Sequence, residues 1–302
     1  MIDSLTSPAW LLILLMVGLG KVLRAAGTFP ENAPDTLNRY VIDIALPALV
    51  LVNVRDLSLD PALLWLFATP WLTLLCSVIV VLGLARLAGW SRGMTGALLM
   101  LVPLGNTAYL GYPLIEAMIG PDAVRYGVIY DQFGTFLILS SYGLVVAAMM
   151  GDGEQPTARS IGLKILRFPP FIMLLVALAP ITWPEWVIEV ARMISATLVP
   201  TACLAVGLQL RLRLPRHLLV PFTTGLALKL VGLPLAAVGI LTAAGVEGTL
   251  LRVGVLESGM PPMITAGALA SAAGLEPELC AALVGVGIFA SFFTIPAVLA
   301  LT

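Results

Sequence analysis

The chain has 302 residues, 60% of them hydrophobic and 11% charged, with a net charge of −1 and a mean hydropathy of +1.03. That composition excludes an ordinary soluble globular domain and marks an all-α protein of the cell (inner) membrane, embedded in the lipid bilayer. The charge balance leaves no basic patch for nucleic acid. Cys76, Cys203 and Cys280 lie far apart inside apolar runs, so neither a disulfide framework nor a metal site is expected.

At ~20 residues per membrane helix, the apolar runs predict ten spans. The N-terminal MIDSLTSPAW lacks the basic region of a signal peptide, so the first run is read as a retained span. Spans one to three are expected at about 8–25, 37–54 and 62–89, the second containing Asp43 and Pro47. Span four, about 95–119, is apolar but carries Pro103, Gly105, Asn106, Gly111 and Pro113, which an undisturbed helix does not accommodate. Span five, about 122–149, precedes GDGEQPTARS, residues 151–160, the one clearly polar linker. Spans six to ten follow at about 164–182, 190–210, 217–243, 247–273 and 276–301, and span nine is again interrupted, by Pro261 and Pro262. Non-helical backbone at membrane depth is tolerated where protein buries it or where it lines a wet cavity, so both breaks are expected to line a site.

The halves repeat one another. Arg39, Pro47 and Leu51 pair with Arg192, Pro200 and Leu204 at an offset of 153; Pro61 and Gly120 pair with Pro215 and Gly274 at 154; Gly83 and Gly89 pair with Gly239 and Gly245 at 156. An odd number of spans per copy inverts the second, giving two inverted five-helix repeats, residues 1–150 and 161–302, joined by a cytoplasmic linker at 151–160. Lys21, Arg24, Arg39, Arg86, Arg92, Arg159, Lys164, Arg167, Arg211, Arg213 and Arg216 fall on one side, against Arg55, Arg125, Arg192 and Arg252 on the other. The positive-inside rule then puts both termini outside the cytoplasm.

The break GNTAYLGYP with AMIGPDA, the early VIDIALPALVLVNV, LVPTACLAVGLQL of span seven and MPPMITAGALA of span nine resemble the auxin efflux carrier family over nearly the whole chain. The resemblance implies a ten-helix carrier in which broken helices four and nine cross near the membrane centre. It implies small carboxylates such as malate, malonate or auxin-like acids as substrates, and no cofactor. The long hydrophilic middle loop of many plant carriers is here about ten residues, and Gly267 stands where Pro113 would be matched. Bile acid sodium symporters share the architecture and supply the alternative reading, a sodium-coupled carrier. A homodimer is left open.

Ionisable residues inside spans cost ~2.5–3.5 kcal/mol each on insertion scales. Lys229, Glu257 and Asp131 are deep and Asp43 shallower, so these four are candidates for coupling or for internal ion pairs. Around the breaks, Asn106, Thr107, Tyr109 and Pro113, with Ser258, Pro261, Pro262 and Thr265, are the substrate-binding candidates, because small polar groups and freed backbone N–H groups at half-helix ends suit an anion. Thr73, in unbroken span three, is expected to lie away from both breaks. An intramembrane protease is a remote alternative: YD at Tyr130–Asp131 lacks a GxGD partner, GVGI at Gly285 carrying Ile288 where aspartate is needed. No HExxH, GxSxG or GxxxxGK[ST] occurs, so neither an enzyme nor direct use of ATP is expected.

Overall fold

The computed structural model describes residues 8–54, 61–151, 157, 159, 162–163, 166–179, 181–209 and 216–302. Most of the linker 151–160, and the cations Arg55, Lys164, Arg211 and Arg213, lie outside the described residues. Every regular element among the described residues is helical: α1 Pro8–Ala25, α2 Ala33–Val54, α3 Leu63–Ala88, α4 Arg92–Leu101, α5 Tyr112–Met118, α6 Pro121–Met150, α7 Pro169–Leu178, α8 Glu185–Leu208, α9 Arg216–Ala243, α10 Gly248–Ser258, α11 Ile264–Ala272 and α12 Pro277–Leu299.

Six of these, α2, α3, α6, α8, α9 and α12, are long and apolar enough to cross a bilayer unaided. The interrupted stretches are each divided into two short helices, α4 with α5 and α10 with α11. The helix expected over 164–182 is also shorter, since α7 has ten residues. Pro169 and Pro170 open it, and neither has an N–H with which to continue a helix from upstream. Helix α8 is interrupted by a turn at Ala196–Thr197, just before Pro200.

Five wide turns with i→i+5 geometry occur among the described residues, at Val41–Ala45, Thr107–Gly111, Asp131–Thr135, Leu139–Gly143 and Leu228–Gly232. Three end two residues before a proline, namely Pro47, Pro113 and Pro234, whose ring crowds the carbonyl four residues back and so favours a widened turn. Asp43, Asp131 and Lys229 all sit in such turns.

By contacts the chain forms two units. The first comprises Met1–Asp60, Ala108–Val128 and Leu163–Leu210. Within it α1 runs along the second half of α8, α2 packs on α7 and α8, the Arg24 guanidinium donates to the Leu208 carbonyl (3.1 Å), and the Tyr40 and Thr197 hydroxyls are 2.7 Å apart.

The second unit comprises Pro61–Thr107, Ile129–Gly162 and Arg211–Thr302. Its core joins α4, α9, α11 and α12 through Leu98, Leu101, Phe222, Ala270 and Leu283. Helix α6 seats closely on α3 because residue 134 is glycine: a Cβ there would stand 2.2 Å from Pro70 Cγ. The Trp71 indole donates to the Phe133 carbonyl at 3.1 Å, and the Phe67 and Phe133 rings lie 4.6 Å apart. These contacts hold the turn that carries Tyr130, Asp131 and Gln132. Leu15, Leu64, Ile79, Leu87, Trp186, Met193, Val220 and Phe293 are exposed, an apolar surface suited to lipid.

Candidate functional site

The second unit contains both breaks, and each begins with the same backbone problem. Helix α4, capped by Ser91 Oγ accepting from the Met94 N–H (3.1 Å), stops at Leu101 because Pro103 has no N–H to offer the Leu99 carbonyl. The Tyr142 hydroxyl donates to that carbonyl instead, at 3.0 Å. Helix α10 stops at Ser258, whose carbonyl would have taken an N–H from residue 262, another proline. Lys229 Nζ supplies that hydrogen bond at 3.2 Å.

Between the half-helices the two breaks cross antiparallel. The Asn106 N–H donates to the Pro261 carbonyl (2.8 Å) and the Met263 N–H to the Leu104 carbonyl (2.9 Å), bracketing a Gly105–Pro262 pair. In a pair of this kind neither central residue donates to the other, so proline is tolerated there. Gly105 admits the crossing: a Cβ would stand 3.1 Å from Lys229 Nζ and 3.2 Å from Met260 Cβ. Four freed backbone groups are thus paired with one another among buried and half-buried residues.

Side chains gather around this crossing. The Thr107 hydroxyl donates to Asp131 Oδ1, and Gln132 Nε2 donates to Asp131 Oδ2 at 2.7 Å. Ser258 Oγ donates to the Gly254 carbonyl (2.8 Å), so the Tyr130 hydroxyl, 3.0 Å from it, is the donor in their bond. Asn106, Thr107, Asp131, Gln132, Lys229, Glu257 and Ser258 are each at most 3% exposed. Lys229 and Asp131 both act electrostatically on Glu257. Yet Asn106 Nδ2, Gln132 Oε1 and both carboxylate oxygens of Glu257 have no hydrogen-bond partner among the described residues. Buried polar atoms are rarely left so, and each costs ~1–3 kcal/mol when unpaired.

Of the residues singled out in the sequence, the second unit brings together Asn106, Thr107, Asp131, Lys229, Glu257, Ser258, Pro261 and Pro262. Thr265 is on the exposed face of α11. Tyr109 and Pro113 belong to the first unit, since the chain passes into it after Thr107. Pro113 follows the wide turn Thr107–Gly111 at the start of α5, and it is Pro103 that makes the interruption. In the first unit Tyr112 and Pro113 line a cavity of about 400 Å³ with Asn53, Glu116, Arg192 and Ser195. Asp43 is exposed in the same unit, 3.6 Å from Arg39.

Sequence reasoning passed over Gln132 and Tyr142. A mid-span amide beside Asp131 is itself costly to bury and is the signal that marks Gln132. Thr73 is not remote from the breaks: its hydroxyl donates to the Thr69 and Pro70 carbonyls and acts on the Tyr130 phenol, which is itself bonded to Ser258.

Apolar helices with lipid-compatible faces, among them two interrupted stretches joined through a buried polar cluster, describe a multi-pass membrane protein. The family model described as membrane transport protein matches residues 6–299. The chain therefore belongs to that family, the family of auxin efflux carriers. It is similar to an uncharacterized transporter of Methanothermobacter thermautotrophicus, 29% identical over 296 residues and 94% of each chain. It is also similar to an uncharacterized transporter of Methanocaldococcus jannaschii, 26% identical over 214 residues, covering 66% of this chain and 67% of the other.

Proposed function

We propose that this chain is a secondary carrier of small organic anions, carboxylates such as malate, malonate or auxin-like acids, and that the anion binds at the crossing of the two breaks. The observation that carries the reading is the Asn106 amide, buried at the crossing with Nδ2 unpaired, in the same cluster as the Lys229 ammonium. A carboxylate supplies what an orphaned N–H donor and a buried cation both lack.

The carrier works by elevator-type alternating access, with the unit that contains the broken helices moving its bound anion across. Its architecture is ten crossings in two inverted repeats, 1–150 and 161–302, with both termini extracytoplasmic. Three features support this. The contact units each draw helices from both halves of the sequence, α1 and α2 with α7 and α8 in one, α3 and α4 with α9 to α12 in the other. The crossing joins Gly105 to Pro262, an offset of 157 (262 − 105), close to the 153 to 156 of the sequence repeat. The cation asymmetry supports the orientation.

A thermal-shift screen of malate, malonate and indole-3-acetate on purified protein, with sodium or choline as the counter-ion, tests the ligand class. Stabilisation by at least one of them in choline is expected, since a ligand of the folded state raises stability by mass action. Stabilisation that requires sodium would move the reading to a sodium-coupled carrier of the bile acid symporter kind, and no stabilisation by any of them would contradict it. For the topology, cysteines introduced at Ser4 and Asp122 should react with an impermeant thiol reagent from outside and one at Thr157 should not. The reverse pattern overturns the orientation.

A further inference from the structure

Three formal charges are buried beside the crossing, and they are not treated alike. Asp131 has both carboxylate oxygens occupied, by the Thr107 hydroxyl and the Gln132 amide. Lys229 is tied to the Ser258 carbonyl. Glu257 has neither oxygen hydrogen-bonded among the described residues, although Lys229 acts on it across the cluster. Resting on the anion reading above, we propose that each anion binds together with one proton, and that the Glu257 carboxylate takes that proton.

The argument begins with charge. With Lys229, Asp131 and Glu257 in their ionised forms the buried cluster carries one net negative charge. An arriving indole-3-acetate adds one negative charge and a fully ionised malate or malonate adds two, in surroundings where burial magnifies every unbalanced charge. The arriving anion also draws on the Lys229 ammonium, the cation that acts on Glu257. Neutralising one carboxylate offsets one of the added charges. Both Asp131 oxygens already accept from donors, whereas Glu257 has free lone pairs and no donor to lose, so the proton goes to Glu257.

The groups that act on Glu257 are Lys229 from α9 and Asp131 from α6, and Glu257 acts in turn on the Tyr130 phenol of α6. Helices α3 and α12 also pack on α10, and no charge from either is among those acting on it. The step balances: a proton from water on the open side forms an O–H bond at one Glu257 oxygen, no other bond breaks, and the proton returns to water when the anion leaves. Anion and proton therefore travel in the same direction.

Calorimetry tests this. Malate, malonate and indole-3-acetate are each titrated into the wild-type protein at one pH where all three are fully ionised, in phosphate and in Tris, whose ionisation heats differ. The observed heat should change with buffer by the amount that corresponds to one proton taken up per anion, and sodium or choline as counter-ion should make no difference. Glu257→Gln, which resembles the protonated side chain, should still bind and should lose the buffer dependence. Thr95→Ala, at the far end of α4, should keep it, and Glu257→Ala takes the place of Glu257→Gln if the latter does not fold. A wild-type heat that is the same in both buffers, one that follows sodium instead, or a buffer dependence retained in the Glu257 variant overturns the proposal while leaving anion binding intact. If none of the three anions binds, the anion reading itself fails and the inference falls with it.

Discussion

The two breaks solve one backbone problem with different chemistry. In both, a proline withholds an N–H from the carbonyl four residues earlier. At the first break the orphaned Leu99 carbonyl is satisfied by a neutral phenol, Tyr142, and at the second the Ser258 carbonyl is satisfied by the ammonium of Lys229. The polar side chains are distributed unequally too. Asn106 ends the first break and Thr107 follows it, whereas Glu257 and Ser258 precede the second, whose own residues Met260, Pro261, Pro262 and Met263 are apolar. The shared part is the backbone crossing, in which the breaks contribute one N–H and one carbonyl each. The pairing is therefore a structural frame, and the side chains at its two ends are free to specialise, one end towards hydrogen-bond donors and the other towards charge.

The largest effect should come from breaking the frame itself. Gly105→Leu places a side chain where even a Cβ meets Lys229 Nζ and Met260 Cβ. A loss of ~3 kcal/mol of stability, the upper end of the usual overpacking cost, is expected in thermal denaturation of purified protein. Stability close to wild type would mean that the breaks do not cross as described.

A smaller effect should separate the two ends. Thr107→Val removes a donor from the buried Asp131 carboxylate and should cost ~1–3 kcal/mol by the same measurement. The corresponding polar residue after the second break, Thr265, is exposed, and Thr265→Val should change stability by no more than ~0.5 kcal/mol. Equal costs at the two threonines would remove the asymmetry between the breaks.

These contrasts also show what was legible in the sequence. Pro103, Pro261 and Pro262 announced the interruptions because a missing N–H is a local property, readable without any neighbour. The pairing of Gly105 with Pro262 was not readable, since it depends on residues more than 150 positions apart meeting in one register. Pro113 misled because it adds no second interruption: the chain has already stopped at Pro103, and the widened turn Thr107–Gly111 accommodates its ring. Thr73 misled for a related reason: helical periodicity places a residue on a face, but not the partner which that face meets. Lys229 stood out by its cost, whereas Tyr142, which does the equivalent work at the other break, looks like any aromatic residue in a span.

The central claim is that the anion binds at the crossing, and equilibrium binding of a radiolabelled carboxylate to purified variants tests it most directly. The label is placed on whichever of malate, malonate or indole-3-acetate stabilises the wild type. Asn106→Ala removes the unpaired buried amide, and binding should weaken by ~1–3 kcal/mol, roughly 5- to 150-fold in Kd, with folded protein retained. The control is Thr95→Ala, a buried polar residue of the same interrupted stretch, bonded to the Ser91 carbonyl at the far end of α4; it should bind as wild type does. An Asn106→Ala protein that is folded and binds the carboxylate with wild-type affinity would contradict the account, leaving the crossing as a structural device alone.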